Sequence, residues 1–258
     1  MHTDLPGKIV KGIKNPRRIL PYLRLAARNR RLRAASSGHT DFYRRVMAGA
    51  VAQDPELAVG SDTHDHWLAT GQLQFDYLVA HGLRPEHRIL EIGCGNLRTG
   101  WRLIDYLDEG NYFGIDISPD VLIAAQGVLE RFRLQSKLPH LTLVQDLRLS
   151  WLPDDSFDAI HAHSVFTHTP EEIVLECLAN VGRVLKPDAF FDLTFFEAER
   201  YASSLQEDFF YPRAAILGMA ESQGLVAEVM EDWDYPQSKV RVTLPDAEAA
   251  PAGPSSGP

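Results

Sequence analysis

The sequence predicts an α/β fold: a mainly parallel seven-stranded sheet with helices on both faces, a C-terminal antiparallel hairpin and extra N-terminal helices. Three observations predict it. From residue 87 to about 244, strand-like runs alternate with helical ones, as a parallel sheet with crossover helices requires. The run "RILEIGCG" reads as a strand buried on both faces that ends in Gly93 and Gly95, two glycines that let the backbone turn sharply. The last two strand-like runs, "LVAEVMEDW" and "SKVRVTL", follow one another without a helix, so they form an edge hairpin.

The elements follow in order. Residues 1–38 form a basic arm closed by "SSGH". Its "NPRRILPYLRLAARNRRLR" sets Ile19, Leu23 and Ala26 at helical spacing. Pro21 suits a first turn better than an interior, which predicts a helix starting near it. Residues 39–85 read as a helical cap that contributes to the substrate side. One helix is "DFYRRVMAGAVA"; the other, "HDHWLATGQLQFDYLVAHGL", has Trp67, Leu68, Leu73, Phe75, Leu78 and Val79 for a packed face. Residues 86–245 form the main domain. Its other strands are "NYFGIDIS", "LTLVQD", "FDAIHAHS" and "AFFDLTFF", with helices near 98–108, 119–135, 170–184 and 211–223. The tail at 246–258, "DAEAAPAGPSSGP", is low in complexity and predicts disorder.

Composition narrows the function. The chain has 258 residues, is 45% hydrophobic and 24% charged, and carries a net charge of −9. Residues 1–45 hold twelve Lys and Arg against Asp4 and Asp41, a local charge of +10, which leaves the remainder near −19. An acidic body argues against nucleic acid as a partner. The basic arm suits an anionic membrane surface or an acidic protein. No apolar stretch approaches the ~18 residues of a membrane span, and the N-terminus lacks the apolar core of a secretory signal. These features predict a cytoplasmic protein with peripheral contact at the inner face of a membrane. Cys94 and Cys177 stand far apart, with neither zinc-ligand nor disulfide spacing.

Parallel sheets bind ligands beyond the carboxyl ends of their strands, where strand order reverses. Those ends carry Glu91 with the glycine turn, then Asp116, then Gln145 and Asp146, then His163 and Ser164. A dinucleotide needs G-x-G-x-x-G facing its pyrophosphate, but Arg98 takes the third glycine's place and Glu91 would repel phosphate. S-adenosylmethionine carries an ammonium and a sulfonium and no phosphate, so acidic strand ends favour it. Asp116 would accept both ribose hydroxyls, and Asp146 the adenine amino group.

At this point the chain, from about residue 64 to 244, resembles the class I S-adenosylmethionine-dependent methyltransferases. The likeness rests on "LEIGCGNLRTG", "YFGIDIS", "VQDL", "FDAIHAHSVFTHTPEE" and "VGRVLKPDAFFDLTFF". The third small position of that glycine loop is Leu97. The resemblance implies a Rossmann-like fold and S-adenosyl-L-methionine as cofactor. It implies cofactor contacts at Glu91, Gly93, Cys94, Gly95, Asp116, Ile117, Asp146 and Leu147, and at the backbone near His163. It implies that the segment before the first strand helps close the cofactor site, so Trp67 and Gly71 are expected to line that site.

Transfer to a hydroxyl needs a base, and His is the usual choice near neutral pH. His168, in the loop "SVFTHTP", and His163 at its strand end are the candidate catalytic residues. His161 reads as a hydrogen-bonded core residue, and His64 and His66 as part of a capping stretch, "SDTHDH". Asp154 and Asp155 read as an acidic turn, and no metal is expected. Glu197, Tyr201, Phe209, Phe210 and Tyr211 are candidates for an acceptor surface. The predicted activity is O-methylation of a small molecule or glycan. The rivals are N- or C-methylation of another metabolite, and a non-catalytic binding protein that keeps the fold.

Overall fold

The computed structural model describes residues 16–205 and 207–245. The first fifteen residues of the basic arm and the expected disordered tail lie outside them. The helical segments come first: α1 (Pro16–Ala34), α2 (His39–Val51) and α3 (His64–Ala80). The main domain then alternates β1 (Ile89–Ile92), α4 (Gly100–Tyr106), β2 (Tyr112–Asp116), α5 (Pro119–Phe132) and β3 (His140–Leu143). It continues through β4 (Phe157–Ala162), α6 (Glu171–Val184), β5 (Leu185–Glu197), β6 (Ala202–Ser204) and β7 (Asp208–Tyr211). It closes with α7 (Arg213–Ser222), β8 (Val226–Val229) and β9 (Ser238–Thr243).

The strands run in the order β3-β2-β1-β4-β5, all parallel, and β5 then pairs antiparallel with β9, whose outer neighbour is β8. These are the seven strands expected from the sequence, with the expected hairpin. A second hairpin, β6-β7, joins the far end of β5 through Phe196 and Glu197. Its strands are only three and four residues long, too short for their periodicity to mark them in the sequence. The other departure is α1, which starts at Pro16 and carries Pro21 inside it. Pro16 takes the first-turn place expected for Pro21, so Pro21 removes one interior donor from the ladder.

Period-two alternation sorts each strand between two apolar layers. In β1, Leu90 and Ile92 pack with the layer of α6 and α7, where Val174, Cys177, Leu178 and Val181 recur at helical spacing. Ile89 points the other way, into the layer of Trp67, Leu78, Leu103 and Leu129. Each fully buried Leu or Ile contributes about 1.5–3 kcal/mol. Ser118 caps α5 by accepting from the Val121 amide, and Pro119 fixes its first turn.

Three charges lie under β5 and β9. Asp192, fully buried, accepts two bonds from Arg241 at 2.8 and 2.9 Å, and the Lys239 ammonium lies 3.9 Å away. Lys239 sits between the Tyr77 and Trp233 rings, and burial pushes its pKa down to about 8. Asp192→Ala strands the buried Lys239 and the partly buried Arg241 and should cost about 3–5 kcal/mol in urea unfolding. Lys239→Met leaves the bidentate pair intact and should change stability by less than about 1 kcal/mol. Equal losses in the two variants would contradict this account.

Candidate active site

A cavity of about 500 Å³ opens at the carboxyl ends of β1, β2 and β4, where the strand order reverses. Its floor is the turn at Gly93 and Gly95 with Asp116, Asp146 and His163. Its roof is α2, through His39, Tyr43 and Met47, and the short turn Leu57–Val59.

Both loop glycines are left-handed, with φ of 67° at Gly93 and 55° at Gly95. A Cβ on Gly93 would meet the Val165 side chain at 2.5 Å, so neither the conformation nor the space admits another residue. Asp116 ties this turn to β2: its Oδ2 accepts from the Gly95 amide at 3.0 Å and its Oδ1 from the Ser118 amide at 2.8 Å. Burial raises its pKa, and those amide bonds hold the rise in check. Each Asp116 oxygen keeps a further acceptor site beside the cavity. Ile117, next in the chain, is held from above by Arg44 of α2, whose Nε donates to its carbonyl at 2.7 Å.

Four residues expected at the cofactor lie behind the loop instead. Glu91 shares the α3–α5 face with Ile89, so its carboxylate turns away from the cavity and accepts from the Tyr112 hydroxyl. Burial pushes its pKa up to about 7, against the Tyr112 bond and Arg98, which lower it. Cys94 packs against Gly114, and burial raises its thiol pKa. Trp67 is fully buried, and its Nε1 donates to Asn96 Oδ1 at 3.0 Å. Gly71 lets α3 approach so closely that a Cβ would lie 2.2 Å from the Arg98 carbonyl oxygen. Trp67 and Gly71 therefore brace the glycine turn from behind.

At one end of the cavity, Asp146 is half exposed and accepts from the Arg148 amide, while the Leu147 amide donates to Glu176 of α6 at 3.0 Å. Glu176 also lines the cavity. It sits on an ordinary amphipathic helix, where nothing in the local sequence marks it as a cavity residue.

The other end is basic and under-partnered. His163 is buried, and neither ring nitrogen has a hydrogen-bond partner. Burial lowers its pKa well below the usual value, so the ring is neutral. Arg98 donates from one amino group to the Val59 carbonyl at 2.8 Å, and its buried Nε has no partner. Ser164 is held at φ 60° by its amide bond to Thr194 and by Gln237, which bonds both hydroxyls.

His168 also lines the cavity. Its Nδ1 lies 2.9 Å from the Glu207 carbonyl, which can only accept, so Nδ1 carries the proton and Nε2 the lone pair. Asp208 Oδ1 stands 3.3 Å from the same Nδ1, and Tyr43 stacks on the ring. His39 donates to the His168 carbonyl at 2.7 Å. A base with a fixed tautomer and a carboxylate behind it can take a proton and hold the resulting charge.

The remaining candidates lie elsewhere. His161 is fully buried and bonds Gln74. His64 pairs with Glu56, and the His66 amide donates to Thr63, the cap of α3. Asp154 pairs with Arg183. None of the five acceptor-surface candidates lines the cavity. Phe209 and Tyr211 point into the core, Phe210 stacks on Phe196, Glu197 pairs with Arg213, and Tyr201 stands half exposed. Phe196, Glu207 and Asp208 from the same stretch line it instead. The alternating burial of β7 explains which residues turn inward.

Residues 90–191 match the family model described as a methyltransferase domain. A probable methyltransferase, ltbC, of Aspergillus luteorubrus is 31% identical over 103 residues, covering 38% of this chain and 36% of that protein. The malonyl-[acyl-carrier protein] O-methyltransferase 1 of Ilyobacter polytropus is 22% identical over 158 residues, covering 59% and 57%. The chain thus spans only about a third to somewhat over half of these relatives' length. Among solved structures, the magnesium protoporphyrin IX methyltransferase of Synechocystis, with bound SAM, aligns with a TM-score of 0.60. That match has 17% identity and covers 82% of this chain and 99% of the other, a likeness of fold. The central residues 90–191 are thus similar to a methyltransferase domain, and the sheet shares its fold with a solved methyltransferase.

Glu91 gives the site a pH signature. Its folded pKa of about 7 lies above the 4.5 of the free side chain. Its contribution to stability is full below 4.5 and is lost as pH rises to about 7. Glu91→Gln should flatten the melting temperature over that window relative to the parent. A constant difference between the two proteins from pH 4 to 8 would refute the assignment.

Proposed function

We propose that this protein is a methyltransferase that uses S-adenosyl-L-methionine and methylates a hydroxyl of a small molecule or glycan. The observation that carries the reading is one cavity with a ribose-type carboxylate, Asp116, on its floor and an oriented histidine, His168, on its wall. The residues fit the cofactor. Asp116 retains acceptor sites for two hydroxyls, Asp146 and Glu176 are acceptors for an exocyclic amine, and Gly93 and Gly95 keep the floor free of side chains. The unpartnered Arg98 Nε and His163 nitrogens are what a carboxylate and an ammonium group need at the opposite end. Bound there, the cofactor supplies a methyl group on a positively charged sulfur.

His168 is the general base, taking the acceptor's hydroxyl proton on Nε2. Asp208 and the Glu207 carbonyl hold its ring and stabilise the imidazolium. His163 acts as a neutral hydrogen-bonding partner. Ile117 and Leu147 complete the cofactor's surroundings, and Tyr43, Met47 and Phe196 provide apolar and aromatic surface for the acceptor. Positioning supplies much of the remaining rate in an in-line transfer.

Calorimetry with S-adenosylmethionine should show binding that weakens about a hundredfold in Asp116→Ala, the loss of charge-assisted bonds. His168→Ala should leave that affinity unchanged and lower labelled-methyl transfer into glycans or phenols by about a hundredfold or more. A folded parent that fails to bind the donor would overturn the enzyme reading. Undiminished transfer by His168→Ala would overturn only the base.

A further inference from the structure

We infer that α1 is a docking helix for an anionic lipid surface, independently of the methyl-transfer reading. The helix carries seven arginines and no acidic residue. Its inner face is fixed to the body: Asn29, buried, donates to the Leu205 carbonyl at 3.1 Å, Arg28 pairs with Glu207, and Leu25 and Leu32 are half-buried. Its outer face has no partner among the described residues. There Leu20, Leu23, Ala27 and Ala34 follow one another at helical spacing, all exposed, with Arg24, Arg30 and Arg31 beside them. Leu20 and Leu23 are 54% and 55% exposed.

This pattern has a definite chemistry. A short apolar stripe flanked by arginines lies in the headgroup plane, its leucines reaching the acyl boundary and its guanidiniums on the phosphates. The charge distribution fixes the orientation. Residues 1–45 carry +10 and the remainder about −19, so an anionic surface attracts the arm and repels the body. The acidic body of a second copy also complements the arginines, but it would leave the leucine stripe in water. The inner face grips Glu207, a wall residue of the cavity, so the lipid-facing and cavity-facing sides lie about one helix diameter apart, ~10 Å.

Co-sedimentation of the full chain with phosphatidylcholine vesicles, with and without phosphatidylglycerol, tests the inference. Binding should require phosphatidylglycerol and fall steeply as salt is raised. The triple substitution R24Q/R30Q/R31Q should weaken partitioning about a hundredfold. L20S/L23S should weaken it about tenfold or more, through lost apolar burial. Both sets lie on exposed positions, so thermal melts should match the parent's. No binding to phosphatidylglycerol vesicles, or equal binding by parent and both variants, would overturn the inference. So would a doubled mass in solution that the arginine substitutions abolish, because it would assign the face to a second copy.

Discussion

The site depends on one close approach: the turn after β1 is pinned between α3 behind and the Asp116 carboxylate in front. Gly71 lets α3 sit directly on the Arg98 carbonyl, and Trp67 and Gln74 bond Asn96 and Thr99. In front, Asp116 collects two amides, one from the turn and one from the start of α5. Bonds to an ionised carboxylate contribute about 1.5–3 kcal/mol each, more than neutral ones. The same carboxylate therefore shapes the loop and offers its remaining acceptor sites to a ligand. Structure and binding share one group.

Alternation along β1 and β2 decides which acid faces which way. Glu91 falls on the buried face beside Tyr112, where its charge is costly and burial favours the protonated form. Asp116 ends its strand, where the chain turns and amides converge, so it can stay charged at the cavity. The opposite end of the same cavity carries Arg98 and a neutral His163. A ligand with acceptors needed at one end and donors at the other meets a field already laid out for it, with little reorganisation on binding.

Much of this was legible in the sequence. Strand-helix alternation predicts the parallel sheet and the edge hairpin, and the strand-end residues Asp116, Asp146 and His163 all line the cavity. What could not be read follows from geometry that sequence does not carry. Glu91 looked like a ligand by position, but only the three-dimensional partner Tyr112 shows that it turns away. Trp67 and Gly71 stand on the segment that packs against the loop, but behind it and not at the cavity. Tyr43, Glu207 and Asp208 come to His168 from elements distant in the chain, and nothing in their local spacing marks them. The stretch 196–212 reaches the cavity through Phe196, Glu207 and Asp208 and not through the five residues expected to face it, because a four-residue strand gives too little periodicity to set a phase.

Leu97 shows how the loop tolerates a residue where its relatives' pattern has a small one. Its φ of 65° is left-handed, a conformation that costs a side-chain-bearing residue roughly 1–2 kcal/mol. Yet Leu97 is fully buried in the layer with Trp67 and Leu103, worth about 1.5–3 kcal/mol. Burial therefore outweighs strain, and the leucine acts as a third anchor for the turn rather than a defect in it. The loop's shape is set by packing from behind, which leaves its front surface of backbone and glycine clear for a ligand.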